Sequence, residues 1–570
     1  MARTLCLSRS LRFNHLRNSA SKVRWYASPV FNFPEFKNEP LLTFAPESEE
    51  RENVIKAIEQ LKSVKYDIPC VIGGNEFRTA QKKEHLCPYK HSEVVAEYYY
   101  ADKTLIEKAI DVALESRKSW EGMSAEDRLS IFWKAADLCS GKYRSLLLAS
   151  TMIGQGKTVH QAEIDATCEL IDFLKYGVNS AMQLYSNQPK LHNPGWKNRI
   201  DYRGLEGFIA TISPFNFAAI GGCTSALPTA MGNVTLWKPS DTAILSNYII
   251  FQILREAGLP DGVLNFVPAD GPTFGDIVTT SPHLAGINFT GSAKTFKWLW
   301  KQVGVNVDKY RTFPRLVGEC GGKNYHYVHP DFTDIATVVN TTVRSAFEYQ
   351  GQKCSACSRM YVPDTLWPQI REGLVDTVSQ IKMGSPEDFT SFMTAIIDSK
   401  SCAKIADYLK EAKSDPDISL IAGGNVLDSV GYYVEPTIFE TKDPKNRMMR
   451  EEIFGPVLTV YVYPSAEWEK TLSLVDETSP YGLTGAVFVK DRQTLRRIQQ
   501  TLRQSAGNFY INCPSTGSVV GQQPFGGSRV SGTNDKAATS AYLQRWVSPQ
   551  SVKEQTVPLT EWGYPSVDES

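Results

Sequence analysis

Gly-Phe-Ile-Ala-Thr-Ile-Ser-Pro-Phe-Asn-Phe-Ala-Ala-Ile-Gly-Gly-Cys-Thr-Ser-Ala-Leu-Pro-Thr-Ala-Met-Gly-Asn-Val-Thr-Leu-Trp, residues 207 to 237, runs 31 residues without a charged side chain. That length is enough to raise a membrane-crossing helix, but Pro214, Asn216, Pro228 and Asn233 interrupt it. The pieces read as a strand buried on both faces (208–212), a turn, a helix and a second buried strand (234–237). Downstream, a helix at 242–257 is stopped by Gly258 and Pro260, and strands follow at 263–267 and 286–289. The alternation restarts after Lys323 with a strand at 325–328 and a helix carrying Ile335, Val338, Val339, Val343 and Phe347; strands at 457–463, 483–489 and 508–511 come later. Two α/β units in series predict two doubly wound parallel sheets with a ligand cleft between them.

Upstream, Ile55, Ile58 and Leu61, then Ile106, Ala109, Ile110, Val112 and Ala113, recur at helical spacing, so helices are expected from about residue 46 to 184. Residues 186–202 turn polar and rich in Pro and Gly, which predicts a two-stranded flap. The polar tail at 544–553 is a candidate partner for it, in the same or another subunit.

A formal net charge of −1, with 22% charged residues, argues against a nucleic-acid partner. Eleven cysteines at irregular spacing read as reduced thiols. Arg3, Arg9, Arg12, Arg17, Lys22 and Arg24, with no acidic residue before Glu35, form the composition of a mitochondrial transit peptide over residues 1–26. A basic arm for nucleic acid or anionic lipid is the alternative, but its charges are not clustered.

Two segments carry candidate chemistry: Gly318-Glu319-Cys320-Gly321-Gly322-Lys323 and Phe347-Glu-Tyr-Gln-Gly-Gln-Lys-Cys354-Ser-Ala-Cys357. Cys354 follows a glycine turn and Lys353, where backbone N–H groups and a cation favour a nucleophilic thiolate. The other reading of Cys354 and Cys357 is half a zinc site or a redox dithiol. A structural zinc needs four ligands, and no second Cys pair or H-E-x-x-H appears. Read alone, Asn216 is better taken as a turn residue after proline and Glu319 as a solvated carboxylate at a strand end.

Ser213-Pro-Phe-Asn-Phe217, Lys238-Pro-Ser-Asp241, Phe289-Thr-Gly-Ser292, the Gly318–Lys323 segment, Gly351-Gln-Lys-Cys354, Glu452-Ile-Phe-Gly-Pro456 and Pro524-Phe-Gly-Gly527 together resemble the ordered motif set of the aldehyde dehydrogenase superfamily, over roughly residues 43–554. The extended motifs around Asn216, Cys354 and Gly517 resemble the branch that oxidises glutamate γ-semialdehyde. The resemblance implies Cys354 as nucleophile, Asn216 as oxyanion donor and Glu319 as the base that activates water. It implies NAD as cofactor, bound by Ser213, Lys238, Asp241, Gly291, Ser292, Glu452 and Phe454. Phe296 stands where many members of the superfamily have glycine. For the substrate it implies Gly517, Ser518 and Lys353 around the carboxylate, Phe217 and Phe525 as aliphatic walls, and Glu169 for the ammonium. A flexible connector and plain core aromatics are the bland readings of the same residues. The implied domains are NAD-binding (35–185 and 207–318), catalytic (319–539) and an oligomerisation flap and tail (186–206 and 540–570), in a homodimer or higher homo-oligomer without a membrane span. A different aldehyde, or a catalytically silent NAD-binding protein, are the competing readings. A CoA-acylating relative would commonly lack the carboxylate present here as Glu319.

Overall fold

Phe208–Ile212 and Val234–Lys238 are adjacent parallel strands, in register from Phe208 opposite Val234 to Ile212 opposite Lys238. In the computed structural model, which describes residues 33–567, they lie at the centre of a seven-stranded sheet. The expected transit peptide lies outside the described residues. Five strands run parallel in the order Leu264–Phe266, Val234–Lys238, Phe208–Ile212, Leu284–Thr290, Arg315–Glu319. Counted along the chain this is 3-2-1-4-5, the order of a dinucleotide-binding unit, whose crevice opens between the first and fourth strands. The strands of this stretch carry no charge before Lys238 because both of their faces are covered.

A second seven-stranded sheet is built from Asn324–Val328, Cys357–Pro363, Ile418–Ala422, Thr437–Thr441, Val457–Tyr463, Thr484–Phe488 and Asn508–Ile511; only Ile418–Ala422 runs antiparallel. One face packs its Val, Ile and Met side chains against the helices Ile335–Phe347 and Trp367–Ser379. The other packs four tyrosines against Trp468–Glu477 and Arg492–Thr501. The fold is thus the expected α/β architecture.

Helices dominate residues 46–184, as the periodicity predicts, and the strands among them are an addition to that reading. Five short strands, Tyr66–Ile68, Cys70–Ile72, Asn75–Phe77, Lys82–Leu86 and Val94–Tyr99, interrupt the helices. Three of them are only three residues long, too short to display an alternating pattern. Cys70–Ile72 forms a hairpin with Asn75–Phe77, and Val71 joins it to the large sheet by pairing with the distant Phe266. The flap is one strand, Trp196–Arg203, and its antiparallel partner is the tail strand Ser548–Gln555 of the same chain. Among the described residues no helix is long and apolar enough to cross a membrane.

Candidate active site

Cys354 follows three consecutive left-handed residues, Tyr349 (φ 50°), Gln350 (φ 56°) and Gly351 (φ 67°). For the two non-glycines this conformation costs of order 1–2 kcal/mol each, and it persists only where neighbours over-determine it. Here the turn's own side chains do so. Tyr349 donates its hydroxyl to the Gln155 carbonyl at 3.0 Å. Buried Gln350 donates to Thr394 Oγ1 and the Ala395 carbonyl and accepts from the Thr394 N–H. Gln352 accepts from the Ile397 N–H at 3.0 Å. The direction in which Cys354 is presented is therefore fixed.

The Asn216 amide donates to the Gln352 carbonyl at 3.0 Å, which brings the predicted oxyanion donor to the nucleophile turn. Asn216 lies between the Phe208–Ile212 strand and the helix Ala218–Ala230, whose cap position, Phe217, has no side chain able to bond the first turn. Asp165 supplies that function from elsewhere. Its two oxygens accept the Ala218 and Ala219 N–H groups, each at 2.8 Å, and one of them also takes Lys157 Nζ at 2.7 Å. A buried anion at a helix N-terminus is favoured by the dipole and the open N–H groups. Lys157 in turn lies over the Phe217 and Tyr349 rings at 4.1 and 4.5 Å. The sequence reading missed both residues, and no local pattern marks them.

Three carboxyl groups act on Cys354: after burial, Glu319, Glu452 and Glu169 push its thiol well above the ordinary value. The expected thiolate is corrected. Lys353, the cation invoked for it and for the substrate carboxylate, is buried in an ion pair with Glu348 at 2.8 Å. Burial and the neighbouring carboxyl groups thus favour the thiol over the thiolate. Glu319 ends the Arg315–Glu319 strand, accepts the Gly527 N–H at 3.4 Å, and is pushed up to about 8 by burial, against the Gly527 N–H and Lys536. Lys536 donates to the Gly507 and Gly526 carbonyls at 2.8 and 3.1 Å, bracing the backbone on which Glu319 rests. Glu169 closes the π-helical turn Glu163–Glu169 and is also raised to about 8, by burial and Asp165, opposed by Lys157 and Lys353. Cys357 opens a core strand, its thiol donating to the Arg359 carbonyl.

On the cofactor side, Lys238 ends the second strand of the sheet and Asp241 follows it, where ribose hydroxyls are read. Asp241 Oδ2 is taken by the Tyr100 hydroxyl, while its buried Oδ1 has no hydrogen-bond partner, an open acceptor that fits a free 2′-OH. Two expectations change. Ser213 Oγ accepts from Trp237 Nε1 at 2.6 Å and donates to the Gly221 carbonyl, so its hydroxyl is committed to the strand-helix junction. The Gly291 N–H bonds the Glu319 carbonyl at 3.1 Å and is not offered to phosphate. Ser292 caps the helix Ala293–Val305, whose first-turn N–H groups remain the anion-facing donors. Phe296 stacks on Phe289 and fills the space above Gly318. Glu452 accepts the Gly322 N–H at 2.9 Å, and Phe454 meets Phe215 edge to face.

On the substrate side, Gly517 (φ +85°) has open space where a side chain would point, and Ser518 donates its hydroxyl to the Gln523 carbonyl at 2.7 Å. That commitment leaves Ser518 Oγ an acceptor and corrects its role as a free hydroxyl donor. Phe217 is half-buried over Lys157; Phe525, also half-buried, accepts the Ala537 N–H on its carbonyl. Ser355, next to the nucleophile, meets the Thr516 hydroxyl at 2.8 Å and so ties the Cys354 turn to the Gly517 loop, a link absent from the sequence reading.

The sequence matches the Aldehyde dehydrogenase family over residues 77–552. It is 57% identical over 550 residues to the mitochondrial delta-1-pyrroline-5-carboxylate dehydrogenase of Danio rerio, covering 96% of this chain and 99% of the relative. The Homo sapiens enzyme of the same name is 56% identical over 528 residues, covering 92% and 93%. The Delta-pyrroline-5-carboxylate dehydrogenase of Mycobacterium tuberculosis, solved bound with NAD, superposes with a TM-score of 0.91 at 40% identity, covering 95% of this chain and all of that one.

Proposed function

The chain belongs to the aldehyde dehydrogenase family, and on that premise we propose that Cys354, Glu319 and Asn216 oxidise L-glutamate γ-semialdehyde, the open form of delta-1-pyrroline-5-carboxylate, to L-glutamate in mitochondrial proline degradation. NAD, when bound, accepts the hydride from the substrate carbon. Asp241, Glu452, Phe454 and the first turn of Ala293–Val305 would hold it.

The surrounding carboxyl groups oppose ionisation of Cys354, so its proton leaves as the sulfur closes on the aldehyde carbon. That proton passes to solvent water, and Glu319, titrating near 8, remains free for the hydrolytic step, since general-base work is most efficient when the pKa lies close to the working pH. The oxyanion formed on the substrate is taken by the Asn216 amide and the Cys354 N–H. After oxidation a thioester links the acyl group to Cys354. Glu319 then removes a proton from the attacking water, and glutamate leaves as the thiol is restored. The observation that most directly supports these roles is the 3.0 Å bond from Asn216 to the Gln352 carbonyl, two residues from the nucleophile.

Glu169 faces the substrate ammonium, and the Gly517 loop, through its backbone N–H groups, faces the carboxylate. The domain division given above is retained as part of the proposal, with Glu319, last residue of a strand in the first sheet, at the junction. The homo-oligomer reading is supported by the strand pair of flap and tail together with the exposed Trp562 and Tyr564 beyond it, at 92% and 76% exposure. Steady-state assays by NADH absorbance test the activity: kcat/KM is expected to be highest for pyrroline-5-carboxylate in an aldehyde panel, and higher activity on a simple aldehyde would refute the substrate assignment.

A further inference from the structure

The segment just upstream of the first helix lies across the back of the substrate loop. Asn38 Nδ2 donates to Asp172 Oδ2 at 2.8 Å and to the Val520 carbonyl at 2.9 Å, while Asn38 Oδ1 accepts Gln522 Nε2 at 2.9 Å. One side chain thus joins two walls that are remote in sequence: the helix Leu170–Tyr185, which continues directly from Glu169, and the turn that follows Gly517 and Ser518. The strap is itself anchored. The Glu39 N–H donates to Asp172 Oδ1 at 2.7 Å, Arg144 and Ser140 take the Glu39 carboxylate, and the Leu42 N–H reaches Glu163. Phe36 packs on Tyr176 at 5.2 Å between centroids, and it leaves no room for a side chain at Gly521 (φ +81°).

We propose that Asn38 is a positioning residue that sets the separation between Glu169 and the Gly517–Ser518 loop, and thereby the preference for an aldehyde carrying an amino-acid end. The proposal rests on the reading that these two walls hold the substrate ammonium and carboxylate. The turn has a hydrogen bond of its own, from Ser518 to Gln523, while the pair of donations made by Asn38 ties the turn to the helix beside the Phe36–Tyr176 contact at Gly521. Asn38 touches neither Cys354 nor the cofactor residues, so its removal acts on recognition and leaves the chemical step alone. A hydrogen bond to an ionic group carries roughly ten- to a hundred-fold in affinity, and a cradle displaced by part of an ångström forfeits a share of that.

The test compares glutamate semialdehyde with pentanal, an uncharged aldehyde of the same chain length, on the full enzyme and on Asn38→Ala, Gln522→Ala and Ser518→Ala. Asn38→Ala is expected to raise KM for glutamate semialdehyde roughly tenfold, with kcat on that substrate and both constants for pentanal within about twofold. Gln522→Ala, which removes one contact at an exposed position, is expected to move KM in the same direction by less, and it decides the question should Asn38→Ala fail to fold. Equal loss on both substrates, or loss in kcat with KM unchanged, would overturn the proposal. If Ser518→Ala alters discrimination and neither strap variant does, the strap is refuted and the substrate loop stands. If none of the three alters it, the reading of the loop fails and the proposal with it.

Discussion

Lys157 Nζ and Asp165 Oδ2 are 2.7 Å apart with at most 1% of either side chain exposed, and the same aspartate carries the first two N–H groups of the helix behind Asn216 and Phe217. The two ends of this pair are not equally replaceable. Without Lys157 the carboxylate keeps two N–H donors and a helix N-terminus; without Asp165 the ammonium keeps two ring faces and the field of Glu169 but loses the hydrogen-bond acceptor that Asp165 supplied.

Asp165→Asn is therefore expected to lower unfolding stability by about 3–5 kcal/mol, the usual loss when one partner of a buried ion pair is removed. Lys157→Met should cost clearly less, and the double variant less than the sum of the two. Urea denaturation measures all three; a larger loss for Lys157→Met would contradict this order.

The pH dependence follows from Glu319. Its folded pKa is raised to about 8, so the ionised base accumulates only as pH climbs through that value. Where hydrolysis of the thioester limits turnover, kcat should rise through pH 8 and level off above it. Lys536 holds the Glu319 pKa down, so Lys536→Met should displace the rise to higher pH. An unchanged or acid-shifted profile in that variant would count against the assignment. Glu319→Gln should leave an NADH burst with little sustained turnover, read by rapid mixing.

Cys354→Ser should abolish turnover with folding intact, whereas Cys357→Ala should keep most activity and lose about 1 kcal/mol of packing. Because the Cys354 thiol is pushed above its ordinary range, the part of iodoacetamide labelling that disappears in Cys354→Ser should still be climbing past pH 9. A plateau near neutrality would mean that a thiolate is present at rest.

A Cβ on Gly321 would collide with the Glu452 carboxylate. That carboxylate is the mobile end of a flexible side chain, so Gly321→Ala should cost the fold little. It should break the Gly322 bond to Glu452 and raise KM for NAD roughly tenfold, the worth of one hydrogen bond to a charged group. A fall in melting temperature with KM for NAD unchanged would refute that.

The central strands and the nucleophile turn are legible in the sequence because their cause is local: strands covered on both faces must be apolar, so Phe208–Ile212 can be read from composition alone. What is not legible depends on partners far along the chain. Asp165 and Lys157 look like surface helix residues until Ala218 and Ala219 are brought to them. The Gly291 N–H looks available until the neighbouring strand places the Glu319 carbonyl against it. Lys353 looks like a free cation, although Glu348, its partner, stands only five residues away, because the left-handed turn between them folds the backbone back on itself.

The strand pair formed by Trp196–Arg203 and Ser548–Gln555 also sets a schedule. Arg203 and Ser548 are 345 positions apart, and a chain made at roughly 5–20 residues per second spends about 20 to 70 s extending between them. For that interval the flap strand, already synthesised, presents an open row of N–H and C=O groups that no later part of its own chain can yet cover. An open strand edge invites pairing with another chain, so the nascent protein is adhesive at this edge until the tail strand has been made. A stop codon that removes the tail would make that condition permanent.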